Sequence, residues 1–144
     1  MKTLALLFFS ILVTKGCSSQ DKKDLEKAQI TYIANTRGFF QKIIITNHKA
    51  IISKDRNGKD TPIEIAINDT DWNELVKYFN TIELNQLAKL KDPTQKRFYD
   101  GAAIANLKVN YKDKHYETSS FDHGFPPAEI KNIVDKIVSF VKDE

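Results

Sequence analysis

Asp122-His123-Gly124 places an acid beside an imidazole, the pairing from which many hydrolytic sites are built. In an active site His123 would act as a general base, and Asp100 or Asp122 would orient its ring. Because adjacent residues rarely face each other, Asp122 is the poorer of the two partners. The structural alternative, which we favour, is that Asp122 caps a turn and His123 leads into the proline pair that starts a helix.

Cations and aromatic rings are mixed in the segment Lys96–Gly101 (KRFYDG) and around Arg37, which lies close to Phe39 and Phe40. Guanidinium groups bind carboxylates through paired hydrogen bonds, and aromatic rings stack on planar or cationic groups. The candidate binding residues are therefore Arg37, Lys96, Arg97 and Tyr99. The same residues would serve equally as loop anchors, with a ring in the core and Arg97 paired with Asp100, and this structural role is the one we favour.

Metal-ligating and nucleophilic patterns are weak. The three histidines lie far apart in the sequence, without an HExxH pair, and no GxSxG nucleophile motif occurs. The segment Asp55–Asp60 has oxygen ligands at alternate positions, but Arg56 and Lys59 place positive charge in the same turn, and the full calcium-loop pattern is absent. We therefore expect neither a metal nor a cofactor.

The N-terminus carries a targeting pattern. Lys2 is followed by ten apolar residues, from Leu4 to Val13, which is too short to span a bilayer and suits the core of a signal peptide. Gly16-Cys17 follows, and this arrangement resembles a bacterial lipoprotein signal. The resemblance implies that residues 1–16 are removed and that Cys17 is lipidated, with palmitate among its acyl chains. Cys17 is the only cysteine, so the chain has no intramolecular disulfide to form.

Charge and composition then predict the domain organisation. The chain has 22 basic and 19 acidic residues, and residues 1–16 contain two of the lysines, so the remainder is nearly neutral at 20 against 19. That balance argues against a nucleic-acid partner. Residues 17–30 are mostly polar and are predicted to form a lipidated cysteine and a flexible tether. Residues 31–144 are predicted to form one globular domain.

Residue periodicity predicts the elements of that domain. Strands are indicated from Thr31, over Phe39–Thr46, Ala50–Asp55 and Ile63–Ile67, and again over Ala103–Lys112 and His115–Ser120. Asn57-Gly58 predicts a tight hairpin turn. Apolar residues at helical spacing predict three helices. The first begins at Asp69 or Thr70, a short one covers Leu84–Leu90, and the last follows Pro126-Pro127 with an apolar stripe from Ile130 to Val141. The predicted fold is α+β: a mainly antiparallel sheet of about five to six strands with two or three helices on one face, the C-terminal helix last.

The order of these elements, with Thr36–Phe40 (TRGFF), Lys96–Gly101 and Phe121–Pro127 (FDHGFPP) between them, resembles small lipoproteins of flavobacteria and other Bacteroidetes, a group with no assigned activity. The resemblance implies a cell-envelope protein held by its N-terminal lipid. Ser18 after the cysteine favours the outer membrane, with the domain facing the periplasm or the cell surface.

Three functions remain open from sequence. The first, which we expect, is a non-enzymatic module that binds another envelope protein. The second is a small periplasmic hydrolase that uses His123 with Asp100 or Asp122. The third is an inhibitor of an envelope-degrading enzyme, with Lys96–Asp100 as the inserted loop.

Overall fold

A computed structural model describes residues 22–141 of the chain, and the predicted signal peptide and Cys17 lie outside that range. The fold is α+β, as predicted, with an antiparallel sheet, helices on one face and a C-terminal helix last. The strands are β1 (Ala28–Thr36), β2 (Phe39–Thr46), β3 (Lys49–Ser53), β4 (Ile63–Ala66), β5 (Ile104–Tyr111), β6 (Lys114–Glu117) and β7 (Phe121–Asp122).

The sheet has the order β4-β3-β2-β1-β5-β6, and the two-residue β7 pairs with the start of β5. The middle of the sheet is therefore built from β1 and its two long neighbours, β2 and β5. Each of these strands buries alternate side chains, which is what a strand does when one face packs on a core. On β1 the buried side chains are those of Ala28, Ile30, Tyr32 and Ala34.

Two α-helices, α1 (Asp69–Thr81) and α2 (Lys131–Val138), cover that inner face, with short 3-10 helices at Leu25–Lys27, Leu84–Lys89, Lys96–Tyr99 and Ala128–Ile130. Helix α1 is capped by Asn68, whose side-chain oxygen accepts a hydrogen bond from the backbone N–H of Asp71 at 2.8 Å. The two helices are joined by Lys136, whose ammonium lies 2.6 Å from Asp71 and 2.5 Å from Glu74. Within residues 22–141, no helix has the length and apolar character needed to cross a membrane.

The folded part begins before the boundary predicted at residue 31. Leu25 is buried in a 3-10 helix, and β1 starts at Ala28, so the segment 25–30 belongs to the domain and not to a tether. The physical reason is pairing on both sides: Ala28 lies opposite Tyr111 of β5, and Ile30 lies opposite both Ile45 of β2 and Val109 of β5.

The turns also differ from expectation in one place. Asn47 and His48 both have positive φ and form a two-residue hairpin loop, as do Lys112 and Asp113. The Asn57-Gly58 pair, in contrast, lies inside a longer loop between β3 and β4, where only Gly58 has positive φ. Asp60 organises that loop, because its carboxylate accepts hydrogen bonds from the Ser53 hydroxyl at 2.7 Å and the Lys54 N–H at 2.8 Å.

Candidate functional site

The three segments singled out from sequence meet at one end of the sheet. Arg37 and Gly38 form the turn between β1 and β2, and the Phe39 ring lies 5.5 Å from the ring of His123. The 3-10 helix Lys96–Tyr99 lies against the same loop, since the Lys96 ammonium is 3.8 Å from the centre of the Phe125 ring. Segment 121–127 therefore touches both of the others and joins them into one cluster.

Asp122 is the buried structural centre of this cluster. Its side chain is 0% exposed and accepts four hydrogen bonds: from the hydroxyl of Thr94, the backbone N–H groups of Lys96 and Arg97, and the guanidinium of Arg97. The Arg97 group is also nearly buried and lies 2.8 Å from the carboxylate of Asp92. Asp122 thus holds the loop 92–97 against the sheet. Both of its carboxylate oxygens are occupied by these hydrogen bonds.

The pKa values of Asp122 and Arg97 agree with a structural role for this ion pair. Burial alone would raise the pKa of Asp122, but the hydrogen bonds from Thr94 and Arg97 outweigh it and bring the pKa to about 2. For Arg97, burial would lower the pKa, and the two carboxylates more than compensate, so that the pKa is raised. Both groups are therefore charged at neutral pH, in a pair that hydrogen bonds satisfy.

His123 belongs to a different environment from its neighbour. Its Nδ1 atom lies 2.8 Å from the hydroxyl of Tyr32, in the middle of the sheet, and its backbone N–H donates to the carbonyl of Ala103 at 2.9 Å. Burial lowers the pKa of the imidazole, so the ring is neutral at pH 7. Within residues 22–141, no hydrogen bond joins His123 to Asp122 or to Asp100.

The His123 ring lines a cavity of about 500 Å³ between the sheet and α2. Tyr32, Phe39 and Gln41 line it from β1 and β2, and Val134, Asp135 and Val138 line it from α2. Gln41 is only 6% exposed, and its Nε2 atom has no hydrogen-bond partner among the described residues. An unsatisfied buried amide is unusual in a native protein and marks this cavity as a candidate ligand site.

The remaining sequence candidates are at the surface of the same end. Tyr99 is 72% exposed and Phe98 is 71% exposed, so neither ring is in the core. Asp100 is exposed, has positive φ and ends the 3-10 helix, while Arg97 pairs with Asp122 and Asp92 in place of Asp100. Arg37 is exposed in its turn.

Exposed apolar side chains concentrate in this region. Within residues 22–141, the large hydrophobic side chains that remain exposed are those of Phe39, Ile63, Phe98, Tyr99, Ile104 and Phe125. All of them except Ile63 lie on the three segments or next to them, since Ile104 pairs with Asp122. We call Phe39, Phe98, Tyr99, Phe125 and Lys96 the aromatic surface. Exposed aromatic side chains gathered at one place are typical of interaction sites.

The segment Asp55–Asp60, considered above as a calcium loop, holds the β3–β4 loop in place through its own carboxylates. Asp55 accepts hydrogen bonds from the N–H groups of Asn57 at 2.9 Å and Lys59 at 2.8 Å, while Asp60 binds the end of β3. Within residues 22–141, no group of three or more His, Cys, Asp or Glu side chains is arranged to hold a metal ion.

Sequence reasoning missed Tyr32, Gln41 and Asp135. A signal for Gln41 was available, because it shares the inward side of β2 with Ile43 and Ile45 and is the polar exception on that side. Tyr32 lies in the strand predicted from Thr31, where a tyrosine is an ordinary strand residue and gives no signal of a site. Asp135 carries no local signal, since an acid on a short amphipathic helix is ordinarily a solvent-facing residue.

Comparison with known proteins finds no family model, no curated protein and no solved structure that matches this chain.

Proposed function

We propose that this chain is a lipid-anchored cell-envelope protein that binds another envelope protein through its aromatic surface and performs no catalysis. The observation that carries the proposal is the meeting of segments 36–40, 96–101 and 121–127 at one end of the sheet. Exposed rings at that end are costly to leave in water, and a protein partner would bury them.

The position of Lys22, the first residue that the structure describes, supports the proposal. Strand β1 then starts at Ala28, at the end of the sheet that also holds the hairpin turns at Asn47 and Lys112. It ends at Thr36, at the end that carries the aromatic surface. A strand of nine residues spans about 27 Å. Lys22 and the aromatic surface therefore lie at opposite ends of the sheet.

A lipid on Cys17 would bring the Lys22 end close to the bilayer. The five Cα–Cα steps from Cys17 to Lys22 reach at most about 17 Å when fully extended. The aromatic surface would then face away from the membrane, where it can meet a partner. This is a shorter connection than a tether through residue 30 would provide, because residues 25–30 are part of the domain.

The hydrolase alternative receives less support. It requires a carboxylate that orients His123, but Asp122 is saturated by Thr94, Lys96 and Arg97, and the hydrogen-bond partner of the imidazole is the Tyr32 hydroxyl. A phenol whose pKa is raised by burial keeps its proton and cannot replace a charged carboxylate in that role. The inhibitor alternative uses the same surface as our proposal and differs only in the identity of the partner.

The proposal is tested by mild crosslinking in cells that express the chain natively, followed by purification and mass spectrometry. We expect the wild-type chain to retain an envelope protein that the double variant Phe98→Ser, Tyr99→Ser loses. The matched control is Lys112→Ser at the opposite end, which should retain it. Retention of the same protein by the wild type and both variants, or recovery of no crosslinked protein with the wild type, would contradict the proposal.

A further inference from the structure

We propose that the cavity between β1, β2 and α2 binds the secondary amide group of a small neutral ligand. In this arrangement the amide oxygen accepts hydrogen bonds from Gln41 and His123, and the amide N–H donates to Asp135. The proposal concerns a site beneath the aromatic surface and does not depend on the envelope function or on lipidation.

Gln41 supplies the first argument. Its side chain is 94% buried, lines the cavity, and has an Nε2 group without a partner among residues 22–141. Leaving a buried amide donor unsatisfied costs free energy of folding, and the cost is recovered when a ligand supplies an acceptor. The group therefore indicates an oxygen acceptor on whatever occupies the cavity.

His123 supplies a second donor. Burial raises the pKa of the Tyr32 hydroxyl, so that it stays protonated and can donate to Nδ1 of His123, 2.8 Å away. In the proposed site the Tyr32 hydroxyl is the donor, so the neutral imidazole carries its proton on Nε2, because a neutral ring has one donor nitrogen and one acceptor nitrogen. The lining of the cavity thus presents two N–H donors, one from an amide and one from an imidazole.

Asp135 favours a neutral ligand and offers it a hydrogen-bond acceptor. Its carboxylate lines the cavity from α2, is half-exposed, and forms an ion pair with Lys131. A negative charge at this position disfavours an anionic ligand such as a carboxylate or phosphate and favours a group that donates a hydrogen bond. The remaining lining is apolar, with Phe39, Pro126, Val134 and Val138 available to pack against carbon atoms.

A secondary amide matches this set of groups, because it offers an acceptor oxygen and a donor N–H in one neutral, planar unit with apolar substituents. A cavity of about 500 Å³ is within the range of small-molecule sites. Such an amide occurs in an N-acylated sugar and in a peptide bond, and the two sources are distinguished by experiment.

The test is an NMR titration of the 15N-labelled full chain with N-acetylglucosamine in one arm and N-acetylalanine N-methylamide in the other. Glucose, which lacks the amide, is the control ligand. We expect saturable shifts of the Gln41 side-chain amide and the His123 ring in at least one amide arm, and none with glucose. The responding arm identifies the source. Absence of saturation in both arms, or an equal response to glucose, would overturn the proposal.

Variants make the test specific. Gln41→Met keeps the size of the side chain and removes the donor, and it should weaken binding at least tenfold, whereas the control Gln86→Met on an exposed position should leave binding unchanged. Circular dichroism checks that each variant is folded. If Gln41→Met does not fold, Val138→Trp, which fills the cavity from α2, replaces it and should abolish the shifts. Unchanged binding in the folded Gln41→Met variant, or in its replacement, would overturn the proposal.

Discussion

The hydroxyl of Tyr32 lies 2.8 Å from Nδ1 of His123 and joins the middle of the sheet to the segment before the C-terminal helix, across 91 positions of sequence. The residue next to His123, Asp122, is turned the other way and bound to Arg97. Two adjacent polar residues therefore have separate roles: Asp122 holds a loop in place, and His123 lines a cavity.

Replacement of Tyr32 by Phe should remove the partner of His123 without opening a large void. We expect a loss of about 1–2 kcal/mol in the free energy of unfolding, because a buried hydrogen bond is lost and Nδ1 is left unpaired. Urea denaturation measures this loss, and 15N NMR of the imidazole should show that the proton no longer resides on Nε2 alone. Tyr116→Phe, on the partly exposed strand β6, is the control and should change neither quantity. An unaltered tautomer in Tyr32→Phe would contradict the hydrogen-bond assignment.

Replacement of Asp122 by Asn should destabilise the domain strongly. The change leaves the Arg97 guanidinium buried with only Asp92 as a charged partner, and breaking a buried ion pair costs about 3 kcal/mol or more. Denaturant unfolding measures the loss. Asp100→Asn, at an exposed position, should change stability by about 0.5 kcal/mol or less. Equal effects of the two variants would show that Asp122 is not a structural centre.

The stability of the wild-type domain should depend on the ionisation of Asp122 in acid. Its pKa is about 2 in the folded protein against 3.8 ordinarily, so the unfolded chain takes up the proton first as the pH falls. The stabilisation is therefore complete above about pH 5 and is lost as the pH falls through 3.8 to 2.

Unfolding free energies of wild type and Asp122→Asn, measured from pH 2 to pH 6, test this. The difference between them should shrink at the acid end, while the contributions of Asp60 and Asp71, whose pKa values are also lowered, cancel because both proteins contain them. A difference that stays constant with pH would be the contrary result.

The unpartnered amide of Gln41 predicts a gain in stability on its removal. Gln41→Met replaces a buried, unsatisfied polar group by an apolar one of similar size, and we expect the free energy of unfolding to rise by about 1 kcal/mol. Thermal or urea unfolding without added ligand gives the value, with Gln29→Met at an exposed position of β1 as the reference. A loss of stability in Gln41→Met would mean that the amide has a structural partner.

Much of the fold could be predicted because local patterns and tertiary packing agree. The alternation in β5 and the stripe of Ile130, Ile133, Val134 and Ile137 in α2 each place apolar groups on the face that is buried. The start of β1 could not be predicted, since Ala28 and Gln29 have no strong strand preference and are held by hydrogen-bonded neighbours on β5.

The candidate site was predicted in part. The sequence identified the three segments, and the structure brings them together. The sequence could not identify the hydrogen-bond partners of the residues in those segments. Asp122 binds Arg97, 25 positions away, and His123 binds Tyr32, 91 positions away, and such pairings are fixed by the path of the chain rather than by spacing. The lipidation of Cys17 stays a prediction.

Site-specific photo-crosslinking in cells tests the central proposal most directly. A photoreactive amino acid is placed at position 98 on the aromatic surface, or at position 112 at the end near Lys22, in chains that carry Cys17. The account predicts that position 98 crosslinks to one defined envelope protein and that position 112 does not. A defined protein crosslinked at position 112 but not at position 98, or no crosslinked protein at position 98, would contradict it.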